Sequence, residues 1–176
     1  MKVTVITSSP RKSGITSFLA DEFIRGAKES AHKVFRFDAA FEVIAPCDAC
    51  DHCGMGSSKC LQSDSMEKLN PELIAADCIV FVTPLYYLGM SSQLKTVIDR
   101  FYANNTMLAG DRKKALLIAS GLDHRAMQPL TDHYKNIVRY LKWHNSGMLL
   151  ASGCATRNDI EKTDYPVQAY HLGKRL

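Results

Sequence analysis

The residues able to do chemistry fall into two groups. The first is Thr7–Thr16 (Thr-Ser-Ser-Pro-Arg-Lys-Ser-Gly-Ile-Thr), where Ser8, Ser9, Ser13, Thr16 and the following Ser17 set five hydroxyls around Arg11 and Gly14. Capping a helix takes one or two such hydroxyls, not five. Hydroxyl donors together with the planar fork of an arginine suit an anion, phosphate above all. The second group is Cys47-x2-Cys50-x2-Cys53-x6-Cys60. Three thiols at two-residue gaps with a fourth nearby are spaced in the style that wraps a 4Fe–4S cluster. Four cysteines can equally close a structural zinc site, and the plain alternative is four free thiols. Gly54 and Gly56 let the chain turn tightly between the third and fourth. Cys78 lies in an apolar run and reads as a small core residue, while Cys154 supports no claim.

The flanks of the hydroxyl run say what positions it. Val3, Val5 and Ile6 precede it as a strand would, and Ile15, Phe18, Leu19, Phe23 and Ala27 follow at the spacing of one helix face. The run is therefore a turn at a helix N-terminus, where unpaired N–H groups and the helix dipole draw an anion. It has no Gly-x-Gly-x-x-Gly, which argues against a dinucleotide turn, and no Gly-Lys-Ser/Thr, which rules out a P-loop. A hydroxyl-lined turn of this kind suits a lone terminal monophosphate, such as that of FMN.

The remaining elements alternate. His32–Asp38 has the polar–apolar period of a half-covered edge strand, and Cys78–Thr83 is apolar throughout, as a strand buried on both faces should be. Lys113–Ser120 and Met148–Ala151 are the other two central strands. Between them lie a helix capped by Asp64 or Ser65, with a restart at Asn70-Pro71, and a helix bearing Leu94, Val97, Ile98 and Phe101. A further helix runs from Met127 to Leu141, with Gly147 placed to end it, and a short one is expected near Val167–Leu172. This alternation implies right-handed crossovers and an α/β flavodoxin-like three-layer sandwich, its five-stranded parallel sheet in the order 2-1-3-4-5. Strands one, three and four are then neighbours, so Thr7–Thr16, Pro84–Met90 and Ser120–His124 open on one sheet edge, where ligands of such folds bind. The expectation is a single domain over 1–176 with a cysteine-rich insertion at 41–63, since structureless stretches of that length inside a domain are usually functional.

Composition narrows the class. At 176 residues with 46% hydrophobic and 23% charged, the chain is long enough for a full core. A net charge of +4 without a basic run or helix face argues against nucleic acid. No apolar stretch approaches the roughly 20 residues of a membrane span, and the N-terminus lacks a signal-peptide pattern. The expectation is a cytoplasmic protein with its cysteines reduced or metal-bound. Asp99 and Arg100 read as a structural pair at a helix end, Lys95 as solvated, and His124 as a surface loop residue.

Ser8–Thr16 resembles the Gly-Ser-Pro-Arg-x-x-Gly-Asn-Thr turn of the NAD(P)H-dependent FMN reductase and iron–sulfur flavoprotein family. Ala76-Asp77, Pro84-Leu-Tyr-Tyr87 and Gln93-Leu-Lys-x-x-x-Asp-Arg100 resemble it at matching places. The resemblance implies that Ser9, Arg11, Ser13, Ile15, Thr16 and Ser17 hold the FMN phosphate. It implies that Pro84, Leu85, Tyr86 and Tyr87 cradle the ring, with Ser120, Gly121 and Asp123 beside it. Ser8 and Ile15 stand where Gly and Asn are usual, so a side-chain contact at position 15 is lost while backbone contacts survive. Cys47, Cys50, Cys53 and Cys60 resemble the compact cysteine motif of iron–sulfur flavoproteins. The implied function is an FMN oxidoreductase drawing on NAD(P)H and serving a quinone, an azo or nitro compound, or flavin. The rival is an electron carrier between partner proteins. A homodimer or higher oligomer is implied by the resemblance alone.

Overall fold

Six of the seven residues of β3 (Cys78–Pro84) are fully buried, because helices cover both faces of the sheet it centres. The computed structural model describes residues 1–176. Its strands are β1 (Lys2–Thr7), β2 (Lys33–Asp38), β3, β4 (Lys114–Gly121) and β5 (His144–Ser152), paired in the order β2-β1-β3-β4-β5 and parallel throughout. Its helices are α1 (Ile15–Glu29), α2 (Met66–Ala75), α3 (Ser92–Asp99), α4 (Asn105–Leu108), α5 (Gln128–Tyr140), α6 (Arg157–Ile160) and α7 (Tyr165–Lys174). Thr7 pairs with Val82, and Val82 with Ile118, so the loops after β1, β3 and β4 leave the sheet at one level.

Strand alternation sorts the core into two layers. Val80 and Val82 pack with Leu19 and Phe23 of α1 on one face, and Ile79 and Phe81 with Leu73, Leu94 and Tyr134 on the other. The second layer is aromatic: Phe81 stacks on Trp143 with centroids 6.4 Å apart and meets Tyr134 edge-on at 6.2 Å. The polar atoms of these rings are satisfied, Tyr134 donating to Asn145 Oδ1 (2.9 Å) and Trp143 to the Leu108 carbonyl (2.7 Å). Burial pushes the Cys78 thiol up to about 12, so this cysteine is an inert core residue.

The fold agrees with the order expected from alternation and departs from it locally. Helix α2 runs unbroken through Pro71 instead of restarting there. Gly147 does not end a helix: α5 stops at Tyr140, and Gly147 lies inside β5 with φ 137, where the register against β4 shifts between Ala115 and Leu117. Asp99 and Arg100 are not partners. Asp99 pairs with Lys95 one turn back at 2.5 Å, so Lys95 is tied as well as solvated, and Arg100 is buried against Asp64. Helix α7 is longer than the patterning suggested, and close glycine contacts dock it on α1 beside its apolar residues Tyr165, Ala169 and Leu172. A Cβ on Gly26 of α1 would overlap the Tyr170 carbonyl, and one on Gly173 would overlap the Phe23 carbonyl.

Between the short turn Ala39–Phe41 and α2 there is no helix or strand. This cysteine-bearing segment is pinned from below by Arg100, whose Nη1 donates to the Ala45 carbonyl (2.8 Å), to Gln62 Oε1 (2.7 Å) and to Asp64. Asp64 also accepts from the N–H groups of Ala45 and Met66, so it supplies the side-chain bond at the start of α2, where Ser65 holds the N-cap position without a capping bond.

Candidate functional site

Helix α1 begins at Gly14, which is extended (φ −75, ψ 172) and offers no side-chain cap. The N–H groups of Ile15, Thr16 and Ser17 donate to no acceptor within the chain. Three free donors at the positive end of a 15-residue helix form a ready anion site. The turn ahead of them is closed by Gly14 N–H to the Arg11 carbonyl (3.0 Å) and Arg11 N–H to Ser9 Oγ (3.2 Å). A Cβ at Gly14 would come within 3.1 Å of that carbonyl, so glycine keeps the turn tight.

The hydroxyls divide by role. Ser8 is a strap: its N–H and its Oγ both donate to the Val82 carbonyl, at 3.1 and 3.0 Å. Ser17 Oγ accepts from Arg36 Nη2 at 2.9 Å, and that arginine also bonds Asp38 and Asp21, so Ser17 offers the site only its N–H. Ser9, Arg11, Ser13, Ile15 and Thr16 line a cavity of about 540 Å³ with Pro84, Tyr86 and Ser120. No carboxylate lines it.

The other expected ring contacts are placed differently. Leu85 turns into the core, its N–H donating to the Ser120 carbonyl at 2.7 Å. Gly121 is the floor beneath it, since a Cβ there would meet Leu85 and Met127 at 3.0 Å. Asp123 Oδ1 accepts from Arg125 N–H (2.9 Å) and so fixes the loop after β4. Tyr87 stands fully exposed, with Leu88, at the tip of a two-residue turn closed by paired Tyr86 and Gly89 backbone bonds of 3.0 Å. Both tip residues are left-handed (φ 44 and 65), as that turn requires, and neither is a glycine. Leu85, Tyr87, Gly121 and Asp123 thus frame the cavity without lining it.

Ala155, Thr156 and Arg157 after β5, which are not among the residues expected from the sequence, also line the cavity. A signal was present: Thr156-x-x-Asp159 is a capping box, and both of its hydrogen bonds form.

The cysteines are not gathered. Cys47 and Cys50 are exposed, Cys53 and Cys60 are half-buried, and no three His, Cys, Asp or Glu side chains converge to hold a metal ion. The Cys53 carbonyl collects the N–H groups of Gly56, Ser57 and Ser58, and Cys60 Sγ accepts from Arg100 Nη2 at 3.4 Å. As placed, the four thiols fit neither a cluster nor zinc.

No helix is long and apolar enough to cross a membrane. An iron-sulfur flavoprotein of Methanocaldococcus jannaschii is 34% identical over 74% of this chain and 66% of its own length. One of Archaeoglobus fulgidus is 29% identical over 69% of this chain and 56% of its own. The chain thus spans between about half and two thirds of those relatives. A Bacillus subtilis protein named as an NAD(P)H-dependent FMN-containing oxidoreductase is 26% identical over 87% of this chain and 86% of its own. Among solved structures, an NAD(P)H:quinone oxidoreductase from Methanothermobacter marburgensis superposes with a TM-score of 0.78 at 16% identity, covering 98% of this chain and 94% of that one, which shows the shared flavodoxin-like fold. The profile of NADPH-dependent FMN reductases matches residues 1–156, and the chain belongs to that family.

Proposed function

We propose that this chain is an FMN-dependent oxidoreductase that draws reducing equivalents from NAD(P)H and serves a small acceptor of the quinone, azo, nitro or flavin kind. The observation that carries the reading is the cavity at the head of α1, where three unengaged N–H groups and the guanidinium of Arg11 meet with no carboxylate in the lining. That donor set fits the terminal phosphate of FMN. FMN, when bound, supplies hydride acceptance and onward electron transfer.

The protein's own part is binding and orientation. The N–H groups of Ile15, Thr16 and Ser17, the hydroxyls of Ser9, Ser13 and Thr16, and Arg11 hold the phosphate. Pro84, Tyr86 and Ser120 flank the space into which the ring would extend, and Tyr86 offers an aromatic face there. No nucleophile or base of this chain is needed. Exposed Tyr87, Leu88 and Leu122 border the same edge, which supports a homodimer closing over it.

The test is steady-state oxidation of NADPH and NADH by the FMN-loaded protein with a quinone. One open flavin face must serve donor and acceptor in turn, so parallel double-reciprocal lines are expected. Intersecting lines would count against a shared face, and no turnover with any acceptor would defeat the enzyme reading.

A second reading, an electron carrier between partner proteins, is favoured by the relatives named iron-sulfur flavoproteins. It requires Cys47, Cys50, Cys53 and Cys60 to come together, which they do not as placed. Iron and acid-labile sulfide on anaerobically reconstituted protein, beside Cys50→Ser, decide it: stoichiometric iron and sulfide lost in the variant support it, and zinc without sulfide, or no metal, removes it.

A further inference from the structure

Arg157 is the first residue of α6 and lines the anion cavity with Arg11, although it springs from the opposite end of the chain. Its position is set from three directions. The guanidinium carbon lies 4.1 Å over the Phe18 ring, and Phe18 stands in the first turn of α1, whose free N–H groups head the site. Nε donates to Glu161 Oε1 at 2.7 Å. The backbone beneath it is locked by the capping box, in which Thr156 Oγ1 accepts from Asp159 N–H (3.3 Å) and Asp159 Oδ2 accepts from the N–H groups of Thr156 (2.8 Å) and Ala155 (3.1 Å).

This arrangement leaves a cation looking for an anion. Asp159 is turned back onto its own backbone and gives the cavity no negative charge. Glu161 takes only Nε, in a pair whose side chains are 43% and 44% exposed and therefore well screened. The two terminal Nη groups, which carry the fork geometry that matches phosphate, donate to nothing. A guanidinium resting on an aromatic face keeps its edge free for such a contact.

We infer that Arg157 is a second phosphate-binding cation of the anion cavity, beside Arg11, setting the preference for a phosphorylated over an unphosphorylated flavin. The inference rests on the reading that the FMN phosphate occupies the turn at α1. It lies beyond the family's matched residues, which end at 156.

The experiment is titration of FMN and of riboflavin into the wild-type chain, Arg157→Gln, Arg157→Lys and Glu161→Gln, followed by flavin fluorescence. Arg157→Gln is expected to narrow the FMN preference roughly tenfold to a hundredfold, entirely through FMN, with riboflavin affinity unchanged. Arg157→Lys is expected to restore part of the preference, and Glu161→Gln, which frees the guanidinium, to leave it undiminished. Stabilisation against heat by inorganic phosphate, a readout needing no flavin, is expected to fall in Arg157→Gln. An unchanged preference in Arg157→Gln, or equal losses for the two flavins, overturns the role of Arg157. A wild-type chain that binds riboflavin as tightly as FMN overturns the underlying phosphate reading instead.

Discussion

Ile15 places a branched apolar side chain in the middle of the proposed anion site, to which position 15 would contribute its unengaged N–H. Arg11 is different: its guanidinium lines the cavity and makes no hydrogen bond or ion pair within the chain, so its charge has no structural task. Arg11→Ala is therefore expected to weaken FMN by about 1.5–3 kcal/mol, or roughly tenfold to a hundredfold, and to leave riboflavin untouched. Ile15→Asn is expected to change either affinity by less than about threefold, within the worth of a neutral hydrogen bond. Fluorescence titration checks both, and equal losses of the two flavins in Arg11→Ala would remove the phosphate role. These residues were legible in the sequence because turn and helix start are contiguous. Tyr87 and Leu85 were not, since whether a loop side chain faces a cavity, the core or solvent depends on turn geometry that residue type does not encode. Arg100 was misread for a related reason: its partner, Asp64, lies on another element.

At the scale of elements, that same pair decides how the cysteine segment sits. Arg100 and Asp64 are only 2% and 6% exposed, so removing one partner strands the other. Arg100→Met is expected to cost about 3–5 kcal/mol in urea unfolding and to loosen the segment to proteolysis, while Arg100→Met with Asp64→Leu costs less. Burial opposes the charged form of Asp64, but the Arg100 guanidinium and the N–H groups of Met66 and Ala45 outweigh it, holding this carboxyl below its ordinary range. A depressed carboxyl gives stability that is present above the unfolded value of about 3.9 and lost as pH falls through the folded one. The stability gap between wild type and Asp64→Asn should then be constant from neutral pH to about 5 and shrink below about 4. A gap that persists into acid would show the pair is not the anchor. The turn carrying Tyr87 and Leu88 stores local strain, with two adjacent non-glycine residues left-handed at a cost of order 1 kcal/mol or more each. Replacing the pair by Asn-Gly is expected to raise the melting temperature. A variant no more stable than wild type would mean the turn is relaxed as it stands.

For the whole molecule, the sheet order was legible because alternating buried strands and striped helices leave few ways to cover both faces. The last helix was legible only as a short one near Val167–Leu172; its full extent and its docking were not, because α7 meets α1 by close backbone approach at Gly26 and Gly173, and a glycine contact leaves no periodic trace. The matched family residues also stop short of it, at 156. Yet α7 closes one face of the core through Ala169 and Leu172, against the helix whose N-terminus heads the anion cavity. The site and the C-terminal layer are thus two ends of one rigid element. Gly173→Ala forces a methyl group into the Phe23 carbonyl and should cost about 1–3 kcal/mol or more. For a chain of this size that is a fall of roughly 2–4 °C per kcal/mol in melting temperature. Because the head of α1 lies about two turns away, FMN affinity should fall by less than about threefold, and FMN at a hundred times its Kd should return about 2.7 kcal/mol to the variant as to wild type. Calorimetry with and without FMN measures both quantities. Wild-type stability in Gly173→Ala would show that α7 does not dock through this glycine. A stability loss that FMN cannot offset would show that α1 does not act as one element.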